Sequence, residues 1–381
     1  MASAFVVDAP GVVDAGLVAT TTPGENIESL EWLQVGHPLP NEASVLAGRK
    51  ALELARHVGR DGRLVVLLSG GASAGLAVPV PGLTLREKVE ATQSLLQGGV
   101  PIDGVNCVRK HLSLVKGGWL GAAVSGAATT LAISDVVEPD PDNPAVIGSG
   151  PTAGDPTTFE DALKVVNGSA VRAGFPDTAR SILEEGLCGR REETPKPDDE
   201  RLKHSKFCVI GSRLDALKSA AHEASNLGYQ VITISDPVVG EARLASAGYL
   251  SHVLGLTQPS GTLLGPVCVL SAGETTVEVT GSGHGGRNQE FALAAAQLLD
   301  GWFENTVLAS IGTDGVDGPT DAAGAMVDTT TLKRARERGL AAPEHYLDRN
   351  DSYTFFDHLG DLVRLGSTQT NVGDLQVLLS E

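Results

Sequence analysis

The chain has 381 residues, 41% of them hydrophobic, and a formal net charge of −18. This length predicts two domains that each bury a core of their own. The acidic balance argues against a nucleic-acid or anionic-membrane partner, because phosphate backbones attract basic surfaces, and an anionic substrate would therefore need a local basic pocket. The four cysteines form no C-x-x-C pair, and no apolar run reaches the length of a membrane span. These features predict a cytoplasmic protein without structural zinc or disulfides.

Strand-like and helix-like segments alternate through the first half of the chain. The strand-like segments are 15–20, 64–69 and 128–134, and the helix-like segments are 42–58, 85–97, 106–120, 156–166 and 177–185. Such alternation predicts a parallel sheet flanked by helices.

A charged, proline-bearing segment at residues 190–201 has no apolar periodicity and is the best candidate for a linker. It divides the chain into predicted domains at 1–200 and 204–381. A second alternating series follows, with strands at 206–211 and 230–235, helices at 214–226 and 239–254, and strand-rich chain from Val267.

The most informative segment is 281–290, where a strand predicted over 274–280 gives way to a helix predicted over 291–299. It contains four glycines and Arg287. Glycines let backbone amides point at one centre, a helix N-terminus is partially positive, and arginine binds phosphate or carboxylate in bidentate fashion. The segment therefore predicts an anion site. A tight strand-to-helix turn with a surface arginine is the alternative, and the spacing also satisfies G-x-G-x-x-G.

Two further segments in the first half suit an anion. The loop at 70–75 directly follows a buried strand, where open α/β sheets bind ligands, although an ordinary glycine turn has the same composition. In the predicted helix at 106–120, Arg109, Ser113 and Lys116 fall on one face. That face either grips phosphates or is merely solvated.

Carboxylates follow two predicted strands. Asp135 ends the strand at 128–134, where it suits a general base, a magnesium ligand or a helix cap. Asp314, Asp317 and Asp321 lie among four glycines after the strand at 307–312, and hard oxygen ligands favour magnesium when a nucleotide supplies the remaining coordination. The loop at 147–152 offers amides and hydroxyls, whereas 350–352 and 368–374 have the composition of turns.

Together these motifs resemble the glycerate 2-kinase family, also called MOFRL. The resemblance rests on Ser-Gly-Gly-Ala-Ser-Ala at 69–74, on 106–118, Ser-Asp-Val-Val at 134–137, Gly-Ser-Gly-Pro-Thr at 148–152, Gly-Gly-Arg-Asn-Gln-Glu at 285–290 and on 312–324, in the family's order. It implies a Rossmann-like parallel-sheet α/β domain, then a smaller α/β domain with a mixed sheet, and an active site in the interdomain cleft.

The resemblance also implies ATP- and Mg²⁺-dependent phosphorylation of D-glycerate to 2-phosphoglycerate, and it leaves a homodimer open. The implied catalytic residues are Asp135, Arg287 and Asp314, and the metal ligands are Asp314 and Asp317. The implied substrate- and nucleotide-binding residues are Ser69, Gly70, Gly71, Ser73, Arg109, Lys116, Ser149, Gly150, Gly285, Gly286, Asn288 and Thr313. Whether Asp135 or Asp314 is the base or the metal ligand stays open.

The chain departs from the family pattern at its start. Family members carry an earlier strand and a Gly-Lys-Ala loop with a catalytic lysine, whereas this chain begins with Met-Ala-Ser-Ala-Phe, in the helix after that loop, and has no matching lysine. Without that charge near the phosphates, the chain as written is expected to have little activity. Either the start is placed too late, which is the favoured explanation, or the product is degenerate. Ala72 and Gln369 also replace family glycines, and His284 replaces an arginine.

Two other functions fit parts of the pattern. An NAD-dependent hydroxypyruvate reductase would use the G-x-G-x-x-G that begins at Gly281, although this motif lies late in the chain and not in a first βαβ unit. A non-catalytic protein that binds nucleotide or glycerate would account for the absent lysine.

Overall fold

The computed structural model describes residues 1–8, 11–22, 24, 27, 29–137, 140–168, 171, 174–257, 266–300, 302 and 305–380. The chain forms two compact units, Met1–Ile210 and Gly211–Glu381. The division lies ten residues beyond the predicted end of the first domain at residue 200.

The first unit is an α/β arrangement with parallel strand pairs. Its strands are β1 (Gly16–Thr20), β2 (Leu30–Gln34), β3 (Arg63–Leu68), β4 (Ala127–Ile133) and β5 (Ser205–Gly211). Its helices are α1 (Ala2–Asp8), α2 (Glu42–His57), α3 (Ala72–Gly75), α4 (Leu85–Gln97), α5 (Ile102–His111), α6 (Trp119–Ala122), α7 (Phe159–Val166) and α8 (Asp177–Leu187). β1 pairs with β2 in parallel, and a second sheet has the order β3-β4-β5, with β3 and β4 parallel.

The start of helix α4 is determined by a local sequence motif. The Thr84 side chain accepts the Glu87 amide and the Glu87 carboxylate accepts the Thr84 amide, so a capping box fixes the start of the helix. Ala91 and Leu95 lie on its buried face and join the apolar core between α4, α5, α7 and α8. The helix has the bounds that the sequence predicts.

Helix α5 differs from the prediction of one helix over 106–120. It begins at Ile102 and ends at His111, and a bridge between Ser113 and Pro79 follows. Gly117 and Gly118 both have positive φ, which ends any helical continuation. Arg109, Ser113 and Lys116 therefore do not share one helix face, and the prediction of a solvated basic face is wrong, because Lys116 is only 2% exposed.

The segment at 190–201 is not a linker. It packs within the first unit, where Thr194 is buried and Glu193 accepts hydrogen bonds from the amides of Phe159 and Thr194. Two of its arginines pair with carboxylates, Arg191 with Glu185 and Arg201 with Asp199, both at 2.7 Å. The charged composition therefore reflects ion pairs rather than a solvated connection.

The second unit is built on a mixed sheet. Its strands are β6 (Gln230–Thr233), β7 (Val238–Glu241), β8 (Val267–Thr276), β9 (Thr306–Gly312), β10 (Gly324–Asp328), β11 (Leu362–Val363) and β12 (Asp374–Ser380). Its helices are α9 (Arg213–Asn226), α10 (Ala242–Thr257), α11 (Arg287–Leu299), α12 (Thr331–Glu337), α13 (Pro343–Leu347) and α14 (Ser352–Leu359). The order is β11-β10-β9-β12-β8-β6, with β7 also on β8; β6 and β7 run parallel to β8, and the other pairs are antiparallel.

Helix α11 is the central helix of this unit and is buried on nearly all sides. It begins at Arg287, four residues before the predicted start, because Asn288, Gln289 and Glu290 are also buried and bonded. β8 ends at Thr276, so the strand predicted over 274–280 is shorter than expected. Strand β7 lies partly where a helix was predicted from Val239.

Among the residues that the structure describes, no helix combines the length and the apolar character needed to span a membrane.

Candidate active site

The carboxyl ends of β3 and β4 lie at one edge of the sheet in the first unit. The two strands run parallel with Leu68 opposite Ala132, so the chain after Leu68 and the chain after Ile133 emerge side by side. The first carries the loop with Ser69, Gly70 and Gly71, all exposed, and the second carries Asp135. The edge thus combines a glycine loop with a carboxylate, as the sequence predicts for a ligand-binding crevice.

Gly71 gives the loop its path. It has φ +78°, in the left-handed region that favours glycine, and it caps the short helix α3. A side-chain carbon at this position would lie 3.0 Å from the His37 ring. The Ser69 carbonyl accepts the Ala72 amide at 3.3 Å, so the loop turns directly into the helix that carries Ser73.

A buried lysine and a half-buried arginine converge on the carbonyl of Ser73. Lys116 Nζ donates to Ser73 O at 2.7 Å, and Arg109 Nη2 donates to the same oxygen at 3.2 Å. Burial lowers the pKa of Lys116 well below its usual value, and the charge of Arg109 lowers it further. Within the described residues neither cation contacts a carboxylate. The site thus places two basic side chains on one carbonyl oxygen, with no carboxylate partner among the described residues.

The hydroxyl groups of Ser73 and Ser149 lie in contact with each other at this site. Ser149 Oγ lies 2.8 Å from Ser73 Oγ and donates to Asn106 Oδ1 at 3.1 Å. Ser149 is fully buried and has φ +63°, a strained backbone for a serine. Its carbonyl and that of Gly150 accept the amides of Gly117 and Gly118. The structure therefore brings Ser73, Arg109, Lys116, Ser149 and Gly150 together, as the sequence predicts for that set.

The glycine run in the second unit has a different environment from the predicted anion cradle. A side-chain carbon at any of its four glycines would overlap protein atoms. The neighbours that Gly281, Gly283, Gly285 and Gly286 would strike are Arg349, Asp351, Ser352 and Asp317, respectively. The glycines here permit close packing of the chain at 349–352 and of Asp317.

The amides of this run are also bonded within the protein. Asn350 Oδ1 accepts the amides of Thr280 and Gly281, both at 2.8 Å, and Asp351 Oδ1 accepts the amide of His284 at 3.0 Å. These amides therefore do not point at one external anion, contrary to the prediction for the start of the run. The segment at 350–352, expected to be a simple turn, anchors the loop.

An internal carboxylate occupies the N-terminus of α11. Asp317 Oδ1 accepts the Asn288 amide at 3.0 Å and Oδ2 accepts the Gln289 amide at 2.8 Å. Burial raises the pKa of Asp317 to about 6, against the lowering effect of the two amides. With a 2% exposed side chain and both oxygens engaged, Asp317 caps the helix. This arrangement does not support its predicted metal role.

Arg287 is fixed by carboxylates rather than left free. Its Nε donates to Asp374 Oδ2 at 2.7 Å, its Nη2 to Asp374 Oδ1 at 3.0 Å, and its Nη1 to Glu274 Oε1 at 3.0 Å. Burial opposes its charge, but Asp374 and Glu274 raise its pKa above the usual value. Asn288 Nδ2 also donates to Asp374 Oδ1 at 3.0 Å. The sequence pattern predicts neither carboxylate partner, since Glu274 and Asp374 lie 13 and 87 residues away from Arg287.

Asp314 and Thr313 follow β9 as predicted. Asp314 Oδ1 accepts the Val316 amide at 3.0 Å, and its other oxygen accepts no hydrogen bond from the described residues. Thr313 Oγ1 donates to Gly373 O at 2.6 Å. Asp321, the third aspartate of the segment, instead pairs with Arg364 at 3.2 Å. In the described part of the chain, no group of three or more His, Cys, Asp or Glu side chains has the arrangement of a metal site.

Comparisons with known proteins identify both regions. Residues 1–184 match the family described as "Domain of unknown function (DUF4147)", and residues 267–374 match the MOFRL family. A glycerate 2-kinase from Pyrococcus horikoshii is 36% identical over 93% of this chain and 79% of its own length. A protein from Agrobacterium vitis, named provisionally as a hydroxypyruvate reductase, is 38% identical over 99% of this chain and 84% of its own.

Solved structures agree with the sequence comparisons. The crystal structure of glycerate kinase from Thermotoga maritima superimposes with a TM-score of 0.84 and 34% identity, over 96% of this chain and 85% of that one. The similarity extends across both units and confirms the predicted α/β class, with parallel pairing first and a mixed sheet second. The chain therefore belongs to the glycerate kinase family that carries the MOFRL region.

Proposed function

We propose that this protein is a D-glycerate 2-kinase. It transfers the terminal phosphoryl group of ATP to the 2-hydroxyl group of D-glycerate and releases ADP and 2-phosphoglycerate. The observation that carries the proposal is the convergence of Arg109 and Lys116 on the Ser73 carbonyl, beside an exposed glycine loop. Family membership supports the same reaction, since relatives of similar sequence from an archaeon and a bacterium are named glycerate 2-kinase.

The physical demand of phosphoryl transfer matches this site. The transferred group carries negative charge throughout, so placement and charge stabilisation supply most of the rate. Lys116 is buried and Arg109 is half-buried, and in such surroundings a cation acts on a phosphate more strongly than in water. The exposed backbone at Ser69, Gly70 and Gly71 lets phosphate oxygens approach closely.

Asp135 is the proposed general base. It lies at the carboxyl end of β4, at the same sheet edge as the glycine loop. In this role it accepts the proton of the substrate hydroxyl as the oxygen attacks the terminal phosphorus of ATP. The bond between that phosphorus and the bridging oxygen breaks, and ADP leaves.

In the second unit we assign Arg287 to the substrate carboxylate or the transferred phosphate. Asp374 holds its guanidinium through two hydrogen bonds, and Nη1 faces the more exposed Glu274. Gly285 and Gly286 stay proposed ligands through their own backbone amides. Asn288, whose amide donates to Asp317, stays a proposed residue of the site beside Arg287, and Thr313 stays one beside Asp314.

Magnesium is the proposed metal, carried mainly by the ATP phosphates. Mg²⁺ needs only one or two protein carboxylates when phosphates and waters complete its octahedron. Asp314 fits this role because one of its oxygens accepts no hydrogen bond from the described residues. The ion would neutralise charge on the phosphates.

The experiment is a product assay with the chain as it stands. Purified protein is incubated with ATP, Mg²⁺ and D-glycerate, and enolase is then added without phosphoglycerate mutase. Formation of phosphoenolpyruvate would establish transfer to the 2-hydroxyl, because enolase does not act on the 3-phosphate isomer. ADP release without phosphoenolpyruvate would place the phosphate on the 3-hydroxyl and overturn the regiochemistry.

A parallel assay separates the kinase from a reductase. The same preparation is supplied with NADH and hydroxypyruvate, without ATP. The packed glycine run at 281–286 leaves no dinucleotide cradle there, so we expect no NADH oxidation. NADH oxidation without ATP-dependent product would replace the kinase proposal with the reductase. ATP binding without either product would indicate a binding protein.

A further inference from the structure

Lys88 is a buried lysine outside the motifs that define the site. It lies on α4, is 4% exposed, and shares the buried face of that helix with Ala91 and Leu95. Its Nζ donates to Leu112 O at 2.7 Å. Burial of a lysine among apolar residues is costly unless a partner compensates its charge. A single carbonyl is weak compensation.

Two neighbouring buried basic residues, unlike Lys88, have carboxylate partners. Lys110 pairs with Asp155 at 3.2 Å, and His111 pairs with Glu193 at 2.8 Å. Arg109, next to them on α5, contacts Ser73 O, as does Lys116. The fold thus supplies carboxylates to two cations of this region, whereas Lys88, Arg109 and Lys116 contact only carbonyl oxygens within the described residues.

The three cations are close enough to repel one another. α4 packs directly on α5. Burial lowers the pKa of Lys88 to about 7, and the charge of Arg109 lowers it further. The charges of Arg109 and Lys88 in turn contribute to the lowered pKa of Lys116.

The other helix packed on α4 does not offset this repulsion. α8 carries four charged residues, of which two are bonded to other partners and two are exposed to solvent. Arg180 bonds to Asn167 and Glu185 to Arg191, and the exposed residues are Asp177 and Glu184. On α4 itself, Glu87 is bonded to Thr84.

We propose that Lys88, Arg109 and Lys116 form a three-cation site for a phosphate group of the nucleotide, in which Lys88 is a positioning residue. The phosphate enters from the exposed side, at Ser69 to Gly71, and contacts Arg109; Lys88 and Lys116 act on it from the buried side. Identification of the ligand as a nucleotide rests on the proposed kinase function, whereas the anion site itself rests on the cation contacts.

This site couples anion binding to proton uptake. A bound phosphate supplies negative charge and raises the pKa of both Lys88 and Lys116, which burial lowers in the empty site. The site therefore takes up protons when it fills. Since the charged lysine is the form that holds the phosphate, affinity for ADP falls as the pH rises above about 7.

The test is titration calorimetry of ADP into the full chain, in two buffers of different ionisation enthalpy. We expect proton uptake with the wild-type protein. Lys88→Met should weaken ADP binding on the order of tenfold or more, because one buried cation is lost. Lys88→Arg keeps a permanent charge and should retain binding while proton uptake decreases. Lys164→Met, at an exposed lysine of α7, is the matched control and should change neither quantity.

Each outcome decides the proposal. ADP binding without proton uptake, or unchanged binding by Lys88→Met, overturns it. If Lys88→Met does not fold, Lys88→Arg decides, since unchanged proton uptake by that variant also contradicts it. Titration with inorganic phosphate separates this failure from failure of the kinase function. Phosphate binding with proton uptake but no ADP binding would keep the anion site and reject the nucleotide, whereas binding of neither anion would reject the site.

Discussion

The two glycine-rich turns of this protein resemble each other in sequence and differ in chemistry. Each joins the end of a strand to a helix and is associated with arginine. At residues 69–73 the nearby cations, Arg109 and Lys116, meet only a carbonyl oxygen within the described residues. At residues 281–286 the cation Arg287 is bonded to Asp374 and Glu274.

The difference lies in where the internal anions are. In the second unit, Asp317 fills the N-terminus of α11, where an external anion would otherwise bind, and Asp374 fills the bidentate face of Arg287. In the first unit the acidic residue named by the sequence motifs is Asp135, which follows the carboxyl end of the neighbouring strand. Both turns are rich in glycine, so glycine content does not distinguish them. The positions of the carboxylates do distinguish the turn at 69–73, which we assign to phosphate, from the turn at 281–286, whose polar groups are bonded within the protein.

Replacing Arg109 with alanine should have the largest effect. The change removes a cation of α5 that lies beside the loop that we assign to phosphate. Losses on the order of 10² to 10³ in kcat/KM for ATP are typical for one such group. The product assay with D-glycerate measures it. Arg86→Ala, at an arginine of α4 whose side chain is 86% exposed, is the control and should retain full activity. Full activity of the Arg109 variant would remove the functional distinction between the two turns.

Asp374→Asn should have the next largest effect, on stability. Asp374 is fully buried and holds Arg287 through two hydrogen bonds, so its loss leaves a half-buried guanidinium with one exposed partner. Breaking such a pair costs about 3 to 4 kcal/mol. Urea unfolding followed by Trp302, the one tryptophan of residues 211–381, measures it in a background with Trp32 and Trp119 replaced by phenylalanine. A loss below about 1 kcal/mol would mean that Asp374 is not the principal partner of Arg287.

Asp317→Asn should show how an internal anion caps α11. The folded-state pKa of Asp317 is about 6, above the ordinary value of 3.8. Because the folded state binds this proton more tightly, the stabilisation is fully present below pH 3.8 and is lost as the pH rises through about 6. The stability of the wild type relative to Asp317→Asn should therefore fall by about 2 to 3 kcal/mol across this window. A difference that does not change with pH would mean that Asp317 keeps an ordinary pKa.

Local signals predict local structure in this chain, and the failures involve distant partners. α4 was predicted with its true bounds because its capping box lies within the same few residues. α5 was predicted too long, since its end depends on a bridge to Pro79 and on the backbone of Gly117 and Gly118. The roles of Asn350 and Asp374 could not be inferred, because their partners lie 60 to 87 residues away.

In the candidate site, too, residues with a local sequence signal were predicted and a residue that depends on distant contacts was not. Ser69, Ser73 and Asp135 were located from strand ends, a pattern read over a few residues, and parallel pairing brings those ends together. Lys88 was missed although the sequence carries a signal for it. It occupies an apolar face with Ala91 and Leu95, where a lysine is unusual. A lysine on such a face indicates either a buried ion pair or an anion site.

Glu274→Gln should have the smallest effect and sharpens the contrast with Asp374. The Glu274 side chain is 41% exposed, and glutamine retains an oxygen that can accept from Arg287 Nη1. Exposed ion pairs contribute less than about 1 kcal/mol, so the unfolding free energy should hardly change. Arg287 would nevertheless have one fewer negative neighbour, and KM for D-glycerate should fall by a factor of about 2 to 5 at low salt and by less at high salt. The same urea titration and a KM measurement at two salt concentrations test both expectations. If Glu274→Gln destabilised the protein as much as Asp374→Asn, the two carboxylates would be equivalent and Arg287 would have no side available to substrate. An unchanged stability with a lower KM would instead indicate that the buried carboxylate positions the guanidinium and the exposed one competes with substrate.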